Sequence, residues 1–332
     1  MLFSDILGQE KAVSYLQKLA RRAHVSGAML FYGPDGVGKK QTALAFAKAL
    51  NCEDAAARQQ GTACGVCATC QAIDKGTYPD VTLIDFVYQA RLEMKTSAKD
   101  YDEELDKTLL KQQHINVNTI RTACTKAQQK AFGTGWKVLI IDQAQTMLPA
   151  AANALLKLIE EPPEKTLWIL ITDKRDAMLS TIRSRCQPVA FVPLREAHIK
   201  TILQVYRPGT AHLDLAARYG VGSISGTLHA AEVLEILEQG DFGSLTAPVK
   251  IAAALPRTLV TARETAHHIL NVLTTALHRA WVNETDRQKQ TALQKTLLRF
   301  AAYKRAIGRN VSPALVLETA LMSLDGLQLS IF

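Results

Sequence analysis

The sequence predicts an α/β fold: a mostly parallel sheet of the phosphate-loop type with helices on both faces, followed by an all-helical remainder. Three observations predict it. A short apolar run at 28–32 leads into a glycine-rich loop and then into an Ala- and Leu-rich helix. Four more apolar runs of strand length follow with helical stretches between them, and such runs belong to sheets buried on both faces. Beyond Pro193 no strand pattern recurs.

Taken in order, "GQEKAVSYLQKLAR" (9–22) carries Val13, Leu16, Leu19 and Ala20 at helical spacing. "AMLFY" (28–32) ends at Gly33 and suits a buried strand, and after the loop 33–39 a helix is predicted from about Lys39 to Leu50. The later strands are "VTLIDF" (81–86), "WKVLIID" (136–142), "LWILIT" (167–172) and "PVAFV" (188–192). The charged, turn-poor segment 96–113, "TSAKDYDEELDKTLLKQQ", predicts a solvated helical insertion or loop and carries no chemistry. "DAMLSTIRSRC" reads as a helical run that ends before the last strand. The remaining helices break at "RPGT", "GVGSISG" and "QGDFGS", which divides the chain into 1–193, a small helical domain 194–238 and a second helical domain 239–332.

A chain of 332 residues has the length of two or three domains, and 48% hydrophobic with 21% charged residues is an ordinary globular composition. No apolar run is long enough for a membrane span, and "MLFSDILGQEKAV" has an early acid and no apolar signal-peptide core. A cytoplasmic protein is the expectation. The net charge of +8 favours an acidic partner, nucleic acid being the commonest, and fits a merely basic surface equally well.

Gly33, Gly36, Gly38 and Lys39 spell G-x-x-x-x-G-K between a strand and a helix. Backbone N–H groups of such a loop cradle phosphates at a helix N-terminus, and the lysine reaches the terminal phosphates. The next position ordinarily holds Ser or Thr for Mg²⁺; here it is Lys40, and Thr42 comes two residues too late. Asp142, at the end of "KVLIID", stands where an acid would orient the metal. The following position, which needs a carboxylate to polarise the attacking water, holds Gln143, whose neutral amide is no base. The loop therefore predicts ATP or ADP held without hydrolysis.

Cys64-x-x-Cys67-x-x-Cys70, with Cys52 upstream, offers four thiolates in one short segment. A closed Cys₄ set suits structural Zn²⁺ and leaves no open position for catalysis; the alternative is a group of reduced cysteines without metal. Cys124 and Cys186 read as small apolar residues. Arg183 and Arg185 in "STIRSRC" could be solvated charges at a helix end.

Together, "ILGQEKAVSYLQ", "FYGPDGVGKK", the four cysteines, "YPDV", "KVLIIDQAQTM", "AANALLKLIEEPP" and "STIRSRCQ" resemble the AAA+ clamp-loader subunits of bacterial DNA polymerase III over nearly the whole chain. The resemblance implies an AAA+ domain at 1–193 with a zinc module at 52–70, a helical lid at 194–238 and a helical collar at 239–332. That group contains ATP-hydrolysing subunits, gamma and tau, and a catalytically silent one, delta prime. Lys40, Gln143 and Ser225, the last in "GSIS" (222–225) where active members carry a nucleotide-sensing arginine, make the silent type the expectation. Tyr78 replaces the histidine usual in "YPD". The resemblance further implies that Arg185 acts as an arginine finger on a neighbour's nucleotide. The implied partners are gamma or tau, delta, the sliding clamp, and primer-template DNA through the assembly. The alternatives are an active gamma- or tau-type subunit and a zinc-containing DNA-binding protein. Against the latter, the cysteine segment has Arg58 as its single basic residue.

Overall fold

The computed structural model describes residues 1–22, 25–94, 105, 108–109, 112–240, 242, 244, 246–309, 311–324 and 327. The chain divides into two compact units, Met1–Leu194 and Arg195–Phe332.

The first unit contains α1 (Glu10–Arg22), β1 (Ala28–Tyr32), α2 (Lys39–Asn51), α3 (Ala55–Gln59), α4 (Ala68–Asp74), β2 (Val81–Ile84), α5 (Phe86–Glu93) and α6 (Val117–Gln128), followed by β3 (Lys137–Ile141), α7 (Pro149–Glu160), β4 (Thr166–Thr172), α8 (Ser180–Arg183) and β5 (Gln187–Ala190). The strands form one five-stranded sheet in the order β2-β3-β4-β1-β5, with every pair parallel. The inner strands β3 and β4 are buried along their whole length, and for that reason they read as unbroken apolar runs. On one face Ile84, Leu139, Ile141, Trp168 and Leu170 pack with Ile120 of α6 and Leu155 of α7. In α6 and α7 the buried residues recur at helical spacing, so each helix turns an apolar stripe to the sheet.

Several boundaries differ from the sequence expectation for local reasons. β2 stops at Ile84 because Asp85 leaves the ladder to cap α5, its carboxylate accepting the Tyr88 N–H at 2.9 Å. The expected helical run before the last strand is broken: a 3₁₀ turn at Arg175–Ala177 is followed by extended Met178 and Leu179, and only then by the four residues of α8. Met178 is buried there, so core packing overrides helical propensity. The cysteine segment carries two short helices, α3 and α4. Most of the charged segment 96–113 lies outside the described residues.

The second unit is built from α9 (Glu196–Tyr206), α10 (Leu213–Tyr219), α11 (Ile224–Gln239), α12 (Ala247–Ala253), α13 (Leu259–Asn283), α14 (Arg287–Ile307) and α15 (Pro313–Met322). One apolar core, including Leu234, Ile251, Leu270, Leu273, Phe300 and Leu317, runs through it. Among the described residues no helix is long and apolar enough to cross a membrane.

Candidate functional site

In the sheet register Ile84 stands beside Ile141, so the next residues, Asp85 and Asp142, leave neighbouring parallel strands at the same level. The glycine loop leaves β1 at the same, carboxyl end of the sheet, where ligand crevices of α/β folds form. Gly33, Gly36 and Gly38 have φ of 148°, 65° and 93°, and a Cβ on Gly33 would stand 2.3 Å from the Phe191 carbonyl oxygen. Only glycine meets both demands there. Gln9 ties the loop to the chain beyond β5: its Nε2 donates to the carbonyls of Val192 at 2.7 Å and Val37 at 3.4 Å, and its Oε1 accepts the Val192 N–H at 3.0 Å.

The two lysines that follow have different partners. Lys39 is buried, and its Nζ donates to the carbonyls of Gly33, at 2.8 Å, and Pro34. Burial lowers its pKa, against the opposite pull of Asp35, Asp173 and Asp142. The Lys40 Nζ lies 3.1 Å from Asp142 Oδ2 and 3.3 Å from Asp85 Oδ2. Burial alone would lower its pKa too, but Asp142 and Asp85 more than offset this and raise it. Thr42 does not replace the hydroxyl absent from position 40, because its Oγ1 donates to the Gly38 carbonyl at 2.7 Å. Gln143 sits at φ 50° and gives its backbone N–H to Asp142 Oδ1 at 3.0 Å. A buried cation turned onto loop carbonyls, a second cation between two carboxylates, and an amide rather than a carboxylate at 143 make an arrangement suited to holding charge.

The four cysteines meet at the other end of α2. Cys52 follows the helix, Cys64 lies between α3 and α4, Cys67 caps α4 and Cys70 sits in its first turn. Their sulfurs all lie within 4.8 Å of one another. A tetrahedral Zn²⁺ with bonds of about 2.3 Å needs sulfurs about 3.8 Å apart, so the donor set fits a metal such as zinc. Backbone N–H groups already point at the sulfurs: Cys64 to Cys52 at 3.3 Å, Cys67 to Cys64 at 3.3 Å and Cys70 to Cys67 at 3.4 Å. The backbone N–H groups of Val66 and Cys67 bring the Cys64 thiol down to about 7, whereas burial pushes the Cys52 and Cys70 thiols up. Buried thiolates need a positive charge that this peptide geometry alone does not supply. Lys48 of α2, itself buried, reaches Asp74 of α4 at 2.7 Å and ties the segment to the body of the unit. Cys124 and Cys186 belong to the apolar packing; burial raises their thiols to about 11 and about 12.

Arg185 has a specific anchor. Its Nε pairs with Glu160 Oε1 at the end of α7 and its Nη1 donates to the Thr181 carbonyl at 3.0 Å, while 40% of the side chain stays exposed. The stretches "LIEEPP" and "SRC" thus meet in space. Arg183 pairs instead with Asp176, which is almost fully exposed. Ser225 is the second residue of α11 in the second unit, its Oγ 3.0 Å from that of Ser223, the N-cap.

Three acids escaped the sequence reading. Asp80 of "YPD" is buried and its carboxylate accepts the backbone N–H groups of Phe132, at 2.9 and 3.1 Å, and Gly133, at 3.0 Å. Asp85 and Glu160 hold Lys40 and Arg185. The signal for Asp85 was an acid directly after an apolar strand, which becomes informative only once β2 is known to lie beside β3. Tyr78, buried enough to raise its phenol, lies with its hydroxyl over Gly133, where a Cβ would come within 3.2 Å of it.

Residues 8–195 match the family described as DNA polymerase III, delta subunit. The chain belongs to this family. Among curated relatives, DNA polymerase III subunit delta' of Pseudomonas aeruginosa is 35% identical over 169 residues, 51% of this chain and 44% of that protein. DNA polymerase III subunit tau of Bacillus subtilis is 34% identical over 189 residues, 57% of this chain and 29% of that protein. The match thus spans less than half the length of either relative. A DNA polymerase III gamma subunit-related protein of Thermotoga maritima superposes with a TM-score of 0.56 at 18% identity, covering 92% of this chain and 97% of that one, and shares its fold.

Proposed function

We propose that this chain is the silent, delta prime-type subunit of a clamp loader. It completes a ring with gamma or tau and delta subunits, and the assembly opens a sliding clamp and places it on primer-template DNA. The observation that carries this reading is Lys40 between Asp85 and Asp142, with Gln143 next in the chain. An ammonium stands where hydrolysis needs a metal, and an amide where it needs a carboxylate. Residues 194–238 act as a lid and 239–332 as the ring-forming collar, the two stretches sharing one apolar core. Cys52, Cys64, Cys67 and Cys70 hold one structural Zn²⁺, which supplies the charge that keeps four thiolates together.

In this reading Arg185 serves a neighbour. Glu160 and Thr181 steady a guanidinium that remains partly exposed, a state suited to reaching the phosphates bound by the next subunit. An arginine supplied in trans accelerates phosphoryl transfer by about 10³ to 10⁵ at one site. Arg185→Ala in the assembled complex should therefore reduce, without abolishing, DNA- and clamp-stimulated ATP hydrolysis, because other sites keep their own arginines. Arg185→Lys keeps the charge but loses the planar fork and should resemble Arg185→Ala. Arg183→Ala should match wild type. An unchanged rate in complexes carrying Arg185→Ala would leave the subunit a purely architectural part.

The tau relative's 34% identity favours a second reading, an active gamma- or tau-type ATPase. Turnover by the isolated chain at about 1 s⁻¹ or faster, abolished by Lys39→Ala, would support it over the first.

A further inference from the structure

Lys40 pairs with two carboxylates, Asp85 and Asp142, that directly follow different strands of the sheet. Asp85 and Asp142 follow β2 and β3 at the same level, and their Oδ2 atoms lie 3.3 and 3.1 Å from one Nζ. Without a cation two carboxylates so placed repel each other. Each is held independently: Asp85 Oδ1 accepts the Tyr88 N–H at 2.9 Å and Asp142 Oδ1 the Gln143 N–H at 3.0 Å. The lysine therefore meets an acid pair that the fold has already set. Its partners have 20% of their side-chain surface exposed, against 36% for Lys40, so the charge sits at the floor of the loop rather than in bulk water.

We propose that the Lys40 ammonium is a tethered counter-ion occupying the divalent-cation position of this phosphate loop, so that a nucleoside polyphosphate binds here without Mg²⁺. The loop amides and Lys39 remain to receive the phosphates: Lys39 Nζ donates to carbonyls of the loop itself, which a phosphate oxygen can replace as its partner. Mg²⁺ gains nothing, because reaching Asp142 means displacing a cation that the chain cannot release into solution. The inference concerns the isolated chain. Its failure would leave the Arg185 experiment on the assembled ring untouched.

The test is ADP binding to the full-length chain by titration calorimetry, once with EDTA and once with Mg²⁺ at matched ionic strength. The wild-type Kd should agree within about twofold between the two media, whereas Lys40→Thr should bind at least about tenfold more tightly with Mg²⁺ than with EDTA. Lys40→Arg, which keeps a cation, should remain indifferent to Mg²⁺. Adding Asp142→Asn to Lys40→Thr should remove the Mg²⁺ dependence. A second readout needs no nucleotide: the melting temperature of Lys40→Met should fall below wild type and recover partly with Mg²⁺, while that of wild type does not move. Wild-type binding that tightens about tenfold with Mg²⁺, or no ADP binding in either medium, would overturn the proposal.

Discussion

The two ends of α2 handle charge in opposite ways. At its N-terminus the loop closes with groups the chain itself carries: Lys39 on the carbonyls of Gly33 and Pro34, Lys40 between Asp85 and Asp142. At its C-terminus the four cysteine sulfurs gather within 4.8 Å of one another. The loop closes on its own groups; the four cysteines form a donor set that fits a metal such as zinc. A site completed by tethered groups takes its shape as part of folding, while a site completed by a metal makes binding energy and folding energy the same quantity.

The widest test of that contrast is metal removal. Protein prepared without chelator should contain one zinc per chain by elemental analysis. Structural zinc contributes roughly 10 kcal/mol or more in small modules, so chelation or Cys70→Ser should abolish hydrogen-exchange protection across 52–74. The inner strands β3 and β4 should keep theirs. Protein free of zinc with that segment equally protected would break the contrast, since the thiols would then be self-sufficient too.

A smaller effect is expected at Asp80, a buried carboxylate with fixed N–H partners like those of Asp85 and Asp142. Asp80→Ala leaves the Phe132 and Gly133 N–H groups without their acceptor and should cost about 2–3 kcal/mol in a urea titration. Asp80→Asn, which keeps one acceptor oxygen, should cost less. If both variants match wild type, tethered partners matter little to this unit and the contrast loses its first half.

The smallest effect comes from the second unit, where burial, with two neighbouring histidines, sets a charge state. His268 stacks on His229 with ring centroids 3.9 Å apart, and burial first, then His229 and His267, lowers its pKa to about 4. The unfolded chain takes up a proton below about 6.5 that the folded one refuses until about 4, so stability should fall as pH drops through that window. Because the group is only half buried, solvent screening reduces the expected loss to about 1 kcal/mol. His268→Gln should flatten the dependence between pH 7 and pH 5; an equally steep profile in the variant would place its origin elsewhere.

Much of the first unit was legible in the sequence. Buried parallel strands must be apolar throughout, so "AMLFY", "KVLII" and "LWILIT" announce themselves, and a glycine loop before a helix marks the carboxyl end of the sheet. The α/β class follows from those residues, while the clamp-loader resemblance rests on motifs such as "AANALLKLIEEPP" and "STIRSRCQ" and agrees with the family matched over 8–195. Boundaries were less legible wherever a side chain leaves its element to cap the next one, as Asp85 does, or where core packing outweighs propensity, as at Met178.

By itself the sequence determined which chemical groups are present: four thiols at metal-ligand spacing, lysines at 39 and 40, an amide at 143, an arginine at 185. Only the tertiary structure decided their partners, because each partner lies on another element. Asp85 faces Lys40 through strand order, Glu160 meets Arg185 where α7 ends, and Asp80 closes on a turn some fifty residues away. Hydrophobic periodicity is local and can be read along the chain. Electrostatic pairing depends on distance in space, and sequence separation does not encode that distance until the sheet has been ordered.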